Sequence, residues 1–365
     1  MKPLRIGIIG CGAISGIYLK NLNAYRSTSV VAVADLDYER AQRVAAEHGV
    51  ARALNTADLI NDPDVELVLN LTVPKAHGSV ALGAIQAGKH VYNEKPLALD
   101  FKEARELQEE ADRRGVLLGC APDTFMGSGL QSCRKLLDDG VIGEPIAAQA
   151  FMLSRGHETW HPSPEFYYER GGGPMLDMGP YYVTALLHLL GPVRRVCGSV
   201  KASFPERTIT SQPKHGKVVQ VETPTHISGE MDFVSGASAH ITTTFDVYGS
   251  AVSPITIFGS EGTMLVPDPN NFSGEIRVKR AGTDFERVEQ THAHPENSRG
   301  IGVLDMAHAI REGRQDHRAS GALALHALEV MNSFERSSNE ERHIHMTTSP
   351  ERPRAMREDE YADEL

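Results

Sequence analysis

A chain of 365 residues, 41% hydrophobic and 23% charged, is too long for one ordinary α/β domain and apolar enough to fill two cores. Its formal net charge of −11 excludes the basic surface that tracks phosphates, so no nucleic acid is expected as a partner. No run of about 20 apolar residues is present to span a membrane, and no apolar leader opens the chain, which points to a cytoplasmic protein.

From residue 4 to about 120, short β-branched runs alternate with helical stretches. Strands are expected at 4–9, 30–34, 67–71, 90–93 and 116–119, and helices at 14–23, 38–48, 76–87 and 101–114. Such alternation implies right-handed crossovers and a parallel sheet covered on both faces. After Pro122 the rhythm changes. A helix at 129–139 and a strand at 146–153 precede an irregular loop rich in His, Pro, Tyr and Gly, and one helix is expected over 175–190. Strand-like runs then dominate 193–288, with Ser235-Gly236 and Glu261-Gly262 as hairpin punctuation, which argues for antiparallel neighbours. Helices at 300–312 and 321–337 close this region. The expected fold class is therefore α/β. A doubly wound parallel sheet occupies 1–122, and an α/β domain with a largely antiparallel open sheet occupies 123–348. The charged tail, 349–365, reads as an arm or as disordered. Four scattered cysteines form no metal-ligand pair, so reduced thiols and no metal are expected.

Gly10-Cys11-Gly12-Ala13-Ile14-Ser15 lies directly after a strand and before a helix. The first glycine permits a tight turn, the second lets backbone approach a pyrophosphate, and the helix N-terminus supplies positive potential. Ser15 stands where a third glycine is usual, with Gly16 beside it. Asp35 ends the second strand, where a carboxylate accepts from a ribose 2′-hydroxyl and repels a 2′-phosphate, which favours NAD. Two other readings stand beside this one: Asp37 is the contacting acid, or Asp35 simply ends its strand.

Three further segments stand out: Thr72-Val73-Pro74 followed by His77; Gly88-Lys89-His90-Val91-Tyr92-Asn93-Glu94-Lys95-Pro96; and Gly171-Gly172-Gly173-Pro174-Met175-Leu176-Asp177-Met178-Gly179-Pro180-Tyr181. With the glycine loop they resemble the Gfo/Idh/MocA oxidoreductases, from residue 4 to about 340. The resemblance implies a Rossmann domain that binds NAD, then a domain that binds substrate and uses its open sheet to form a homodimer or homotetramer. It implies that Lys95 lies by the nicotinamide and the reacting hydroxyl, within a cofactor site of Gly10, Gly12, Ala13, Ile14, Asp35, Thr72, Pro74, His77 and Glu94. It also implies an aspartate, Asp177, with a histidine four residues on. That position holds Tyr181 here, a departure from the family pattern.

The residues support such chemistry by themselves. Hydride leaves a carbinol carbon only as the hydroxyl proton is removed, so a positioned base is required. Lys95 comes at the carboxyl end of a parallel strand, where open α/β sheets bind ligands. On one continuous helix Asp177, Tyr181, Thr184 and His188 would share a face, with Asp177 in the first turn, where the helix dipole favours a carboxylate. A phenol, ordinarily near ~10, is a poorer base at neutral pH than imidazole. The competing readings are a surface lysine, a helix-start carboxylate, a packing tyrosine and a core histidine. His77 either lines the nicotinamide pocket or starts its helix.

The loop at 154–162 carries Arg155, His157, Trp160 and His161, and Tyr167, Tyr168 and Arg170 follow. Aromatic faces stack on sugar C–H surfaces, while His and Arg bind hydroxyls or an acid group. A covering loop packed by its own aromatics is the alternative. Asp123 at the domain junction reads equally as a ligand contact or a hinge.

Three functions fit. The first is NAD-dependent oxidation or reduction at a hydroxyl of a sugar, sugar derivative or polyol. The second is a redox-neutral NAD-dependent glycosidase, working by oxidation, elimination, water addition and reduction, on an anionic glycoside such as a uronate or sulfosugar. The third is a non-catalytic dinucleotide-binding regulator, against which the retention of Lys95 and Asp177 counts.

Overall fold

The computed structural model describes residues 2–364, which form two compact units. Described residues 2–128, 292–328 and 353–364 make the first unit, and 129–291 with 329–352 make the second.

The first unit opens with β1 (Leu4–Ile9), α1 (Ser15–Ala24), β2 (Thr28–Ala34), α2 (Tyr38–His48), β3 (Ala53–Leu54) and α3 (Thr56–Asn61). It continues through β4 (Leu67–Asn70), α4 (Pro74–Gln86), β5 (His90–Asn93), α5 (Phe101–Arg114) and β6 (Leu118–Cys120). The six strands are parallel, in the order β3-β2-β1-β4-β5-β6. That order reverses direction at β1, which opens a crevice at the carboxyl ends of β1 and β4. Helix boundaries follow local chemistry. Asp37 and Asp100 accept the Arg40 and Glu103 amides as N-caps, and left-handed Gly49 and Gly115 close α2 and α5. Only β3 and α3 were not expected, because two and six residues are too few to show a period.

The second unit contains α6 (Ser128–Asp138) from Gly129 onward, β7 (Pro145–Leu153), α7 (Gly173–Asp177), α8 (Gly179–Leu190), β8 (Val193–Lys201), β9 (Glu206–Thr208) and β10 (Val218–Gln220). It goes on through β11 (His226–Phe233), β12 (Ser238–Thr244), β13 (Ile255–Gly259), β14 (Gly262–Val266), β15 (Ile276–Arg280) and β16 (Glu286–Val288). The chain then forms α9 (Ile301–Glu312) in the first unit, α10 (Gly321–Glu340), and β17 (Ile344–His345) in the second. Nine strands pair in the order β16-β15-β14-β13-β7-β12-β11-β8-β17, antiparallel except for β7 with β12. Both expected hairpin turns connect antiparallel neighbours.

Three expectations need correction. The helix over 175–190 is two helices, α7 and α8, broken at Met178. Pro180 lacks an N–H, and its ring excludes a continuous helix through Leu176, so the chain restarts with proline in the first turn. Asp177 therefore ends a short helix, and does not begin a long one that carries Tyr181. The tail is also packed. Glu364 accepts the Ser27 amide at 2.9 Å and its hydroxyl at 2.6 Å, and the Tyr361 hydroxyl donates to Asp305 at 2.7 Å. Its charges find partners far away in sequence, which a composition-based reading of disorder cannot register. The units are, finally, discontinuous, with 292–328 and 353–364 belonging to the first. One reason is local to that unit: the Asp123 carboxylate accepts the Gly300 and Gly302 amides at 2.8 and 3.0 Å, at the start of α9.

Candidate active site

In the first unit, the carboxyl ends of three adjacent strands, β1, β4 and β5, lead into the glycine loop, the Thr72-Val73-Pro74 turn and the Glu94-Lys95-Pro96 turn. Gly10 has φ +102, and a Cβ there would stand 2.6 Å from the Leu71 carbonyl carbon, so only glycine fits. Around Gly12 the space is open: a Cβ would meet nothing within 4 Å. Gly12 and Ala13 are exposed, Ile14 is the N-cap residue before α1, and the first amides of a helix have no partner inside it. Ser15 is buried and donates its hydroxyl to the Gly12 carbonyl at 2.8 Å, fulfilling the packing role of a third glycine.

Asp35 follows β2. One of its oxygens accepts the Cys11 amide at 2.8 Å and the other the Asp37 amide at 2.9 Å, so the carboxylate is tied to the glycine loop. Asp37 caps α2. Burial and then the Asp35 charge push the Cys11 thiol up to about 11, leaving it inert. Leu36, after β2, and Val73, after β4, are apolar side chains left 99% and 66% exposed on either side of β1. An open glycine cradle, a helix N-terminus and a strand-end carboxylate together fit a dinucleotide.

The two turns beside this cradle are braced from within. Asn70 receives the Thr72 hydroxyl at 2.7 Å and donates to Asn93 at 3.0 Å, and Asn93 donates to the Leu97 carbonyl at 3.0 Å. Glu94 accepts the Tyr18 hydroxyl at 3.0 Å and the Lys95 amide at 2.8 Å. His77 is 1% exposed, with Nδ1 2.6 Å from the Pro96 carbonyl and Nε2 3.0 Å from the Thr72 carbonyl. Its ring thus ties one turn to the other. Lys95 leaves the end of β5 half-buried on this frame. Asn70 and Tyr18 escaped the sequence reading, since a strand-end amide and a helix tyrosine carry no local signal.

The second unit holds the other candidates. His157 Nε2 lies 2.8 Å from Asp177 Oδ2, with the two side chains 13% and 15% exposed. The imidazole is enclosed by the rings of Tyr167, Phe245 and Trp160, at centroid distances of 4.0, 4.8 and 5.1 Å. Trp160 is itself 61% exposed, and His161 stands 5.4 Å from both it and Tyr167. Burial holds the His161 imidazole below its ordinary value. A buried ionic network anchors the loop. Arg207 pairs with Glu158 at 2.9 Å and Asp246 at 2.8 Å, Tyr168 bonds to Glu158, and Arg207 reaches the Arg155 carbonyl at 3.3 Å. The Arg155 guanidinium lies over the Phe204 and Tyr248 rings at 4.7 and 5.1 Å. Tyr181 is buried in α8, as are Thr184 and His188. Asp123, a possible ligand contact by sequence, is buried at the start of α9, and burial pushes its carboxyl up to about 6.

Comparison with known proteins gives a consistent result. Residues 4–121 match the oxidoreductase family model with an NAD-binding Rossmann fold, and residues 130–265 match the GFO/IDH/MocA C-terminal domain. The chain is 27% identical to 1,5-anhydro-D-fructose reductase of Ensifer adhaerens, over 83% of this chain and 93% of that one. It is 27% identical to myo-inositol 2-dehydrogenase of Thermotoga maritima, over 72% and 75%. Among solved structures, an NAD binding oxidoreductase from Klebsiella pneumoniae aligns with a TM-score of 0.83 at 24% identity, over 95% of this chain and all of that one. Levoglucosan dehydrogenase, solved with NADH and levoglucosan, aligns at 0.81 and 20% over the same shares. At these identities the two structures speak for the fold.

Proposed function

The chain belongs to the Gfo/Idh/MocA family of NAD-binding oxidoreductases, and from that premise we propose that it oxidises or reduces a sugar or polyol at one hydroxyl carbon. The observation that carries this reading is the convergence of the glycine loop, the Thr72 turn and the Lys95 turn at the carboxyl edge of adjacent strands. NAD, when bound, supplies the hydride acceptor. Gly10, Gly12, Ala13 and Ile14 would receive its pyrophosphate, Asp35 its ribose, and Thr72 and Pro74 the nicotinamide side. His77 and Glu94 act on this site through backbone, by holding the two turns.

Lys95, Asp177 and Tyr181 are the residues assigned to proton handling at the reacting hydroxyl. Trp160 offers an exposed ring to sugar C–H surfaces, His157 and His161 offer polar edges, and Arg155 an anchor for hydroxyl or acid groups. The named relatives reduce or dehydrogenate small polyhydroxy compounds, so a net redox reaction is preferred to redox-neutral glycoside cleavage. We place the enzyme in the cytoplasm; among the described residues no helix is long and apolar enough to cross a membrane. We assign homodimer or homotetramer formation to the sheet of the second unit, where Gln149, Phe151, His240 and Glu230 lie half-buried or exposed on one face.

Purified protein incubated with NAD and a panel of polyols, aldoses, anhydrosugars and uronates should form NADH in proportion to ketone product. Cleavage of a glycoside with trace NAD and no net NADH would overturn the dehydrogenase reading in favour of the redox-neutral one.

A further inference from the structure

Helices α2 and α5 of the first unit each start on an aspartate cap and carry a glutamate in the first turn. Helix α1 has neither: among the described residues no side chain caps Ile14, and no acid lies in its first turn. The Ser15 hydroxyl does not serve, because it donates to the Gly12 carbonyl. The positive end of α1 is thus left for an anion from outside the chain. The other end is fastened by the protein itself. Asn21 donates to the Asn297 and Arg299 carbonyls at 2.9 and 2.8 Å, and Tyr25 hydrogen-bonds with Ser298.

Tyr18 stands between these two ends, at the close of the first turn of α1, and is 0% exposed. Its hydroxyl donates to one oxygen of Glu94 at 3.0 Å, and the other oxygen of that carboxylate accepts the Lys95 amide at 2.8 Å. We propose that Tyr18 is a positioning residue that ties the pyrophosphate end of α1 to Lys95, so that filling the dinucleotide cradle tightens the turn carrying the lysine. This deepens the dehydrogenase reading and rests on it. Every residue in the link belongs to the first unit.

The chemistry of the link is that of a buried donor on a shared acceptor. Burial, and then the Glu94 charge, push the Tyr18 hydroxyl well above its ordinary value, so it remains protonated and can only donate to the carboxylate. A hydroxyl on an ionised acceptor makes a short, directional bond, stronger than one between neutral groups. Packing by itself needs only the ring, which phenylalanine would supply as well. Because both Glu94 oxygens are engaged, one on each side, the carboxylate cannot follow α1 without moving the Lys95 amide. A pyrophosphate that accepts the free amides of the first turn orders that turn. Ordering by a ligand then extends to segments fixed to the one it binds.

Two measurements test the link. The first uses protein without NAD and adds ADP, which carries the adenosine and pyrophosphate but neither the second ribose nor the nicotinamide. Hydrogen exchange at the Lys95 amide should slow by about fivefold or more when ADP saturates wild type. In Tyr18→Phe, ADP should bind within about threefold of its wild-type affinity while exchange at Lys95 no longer responds.

The second is a double-mutant cycle in the holoenzyme, with a polyol that the wild type oxidises. Tyr18→Phe should lower kcat about tenfold or more with little change in KM for NAD, and should cost nothing further in a Lys95→Met background. Tyr25→Phe, which deletes a hydroxyl from the far end of the same helix, should leave kcat within about twofold of wild type. A Lys95 amide that ignores ADP, or responds as strongly in Tyr18→Phe, overturns the proposal without reference to turnover. Losses that add in the double variant also overturn it, by making Tyr18 a packing residue. A wild type that forms no NADH from any polyol instead sinks the function reading beneath it.

Discussion

The Asp35 carboxylate accepts the backbone amide of Cys11 at 2.8 Å, so the acid assigned to the ribose also fastens the loop assigned to the pyrophosphate. Two consequences follow for cofactor choice. Wild-type protein should bind NAD(H) at least about tenfold more tightly than NADP(H), a difference of ~1.4 kcal/mol. Asp35→Ser should weaken NAD(H) without producing a good NADP(H) enzyme, because the glycine loop loses its tether along with the repelling charge. Calorimetric titration of both cofactors checks this, and equal wild-type affinities would remove Asp35 from the ribose site.

Lys95 stands on a frame built by other residues: its amide is held by Glu94, and the following Pro96 carbonyl by His77. The backbone of this turn is thus held without help from the Lys95 side chain. Lys95→Met should leave NAD affinity and Tm nearly unchanged while kcat falls by about two to four orders of magnitude. His77→Ala should behave oppositely, lowering Tm as well as turnover, since it leaves two turns unbraced. Parallel melting curves and steady-state kinetics on the two variants separate these roles.

Asp123 should show an unusual pH signature in stability. Burial raises its carboxyl from an ordinary 3.8 to about 6, and the Gly300 and Gly302 amides only partly offset this. A raised folded value means that the stabilising contribution is complete below 3.8 and is lost as pH rises through about 6. The loss amounts to at most about 3 kcal/mol. Asp123→Asn keeps an oxygen acceptor for both amides and cannot ionise. Relative to wild type, it should therefore gain stability as pH is raised from about 4 to 7, whereas Asp123→Ala should lose stability throughout. A pH-independent difference between wild type and Asp123→Asn would contradict the assignment.

Glu364 gives the reverse case. Burial alone would raise its carboxyl, but the bonds from Ser27 and His308 hold it below its ordinary 4.5. That contribution is present above 4.5 and fades as pH falls through the lower folded value. Glu364→Ala should cost about 1–3 kcal/mol at neutral pH by leaving the buried Ser27 amide and hydroxyl unpaired. Denaturant melts at neutral and acidic pH test this, and the deficit should shrink at the acidic end.

Residues 4–120 show how far sequence alone reached. Leu4–Ile9 and Leu67–Asn70 are short, mostly apolar runs, and Phe101–Arg114 carries its cap and its closing glycine beside it, so each element is specified within its own span. The glycine loop is likewise local: Gly10 needs a positive φ and Gly12 needs open space, whatever the rest of the chain does. What tertiary structure alone decided is which polar groups meet. Nothing near His157 announces Asp177, nothing near Ser27 announces Glu364, and the same residue type lies between two backbone carbonyls at His77 and against a carboxylate at His157. The physical reason is that burial and hydrogen bonding between distant segments depend on how strands and loops pack, and a pairing of single residues leaves no period in the sequence for that packing to be read from.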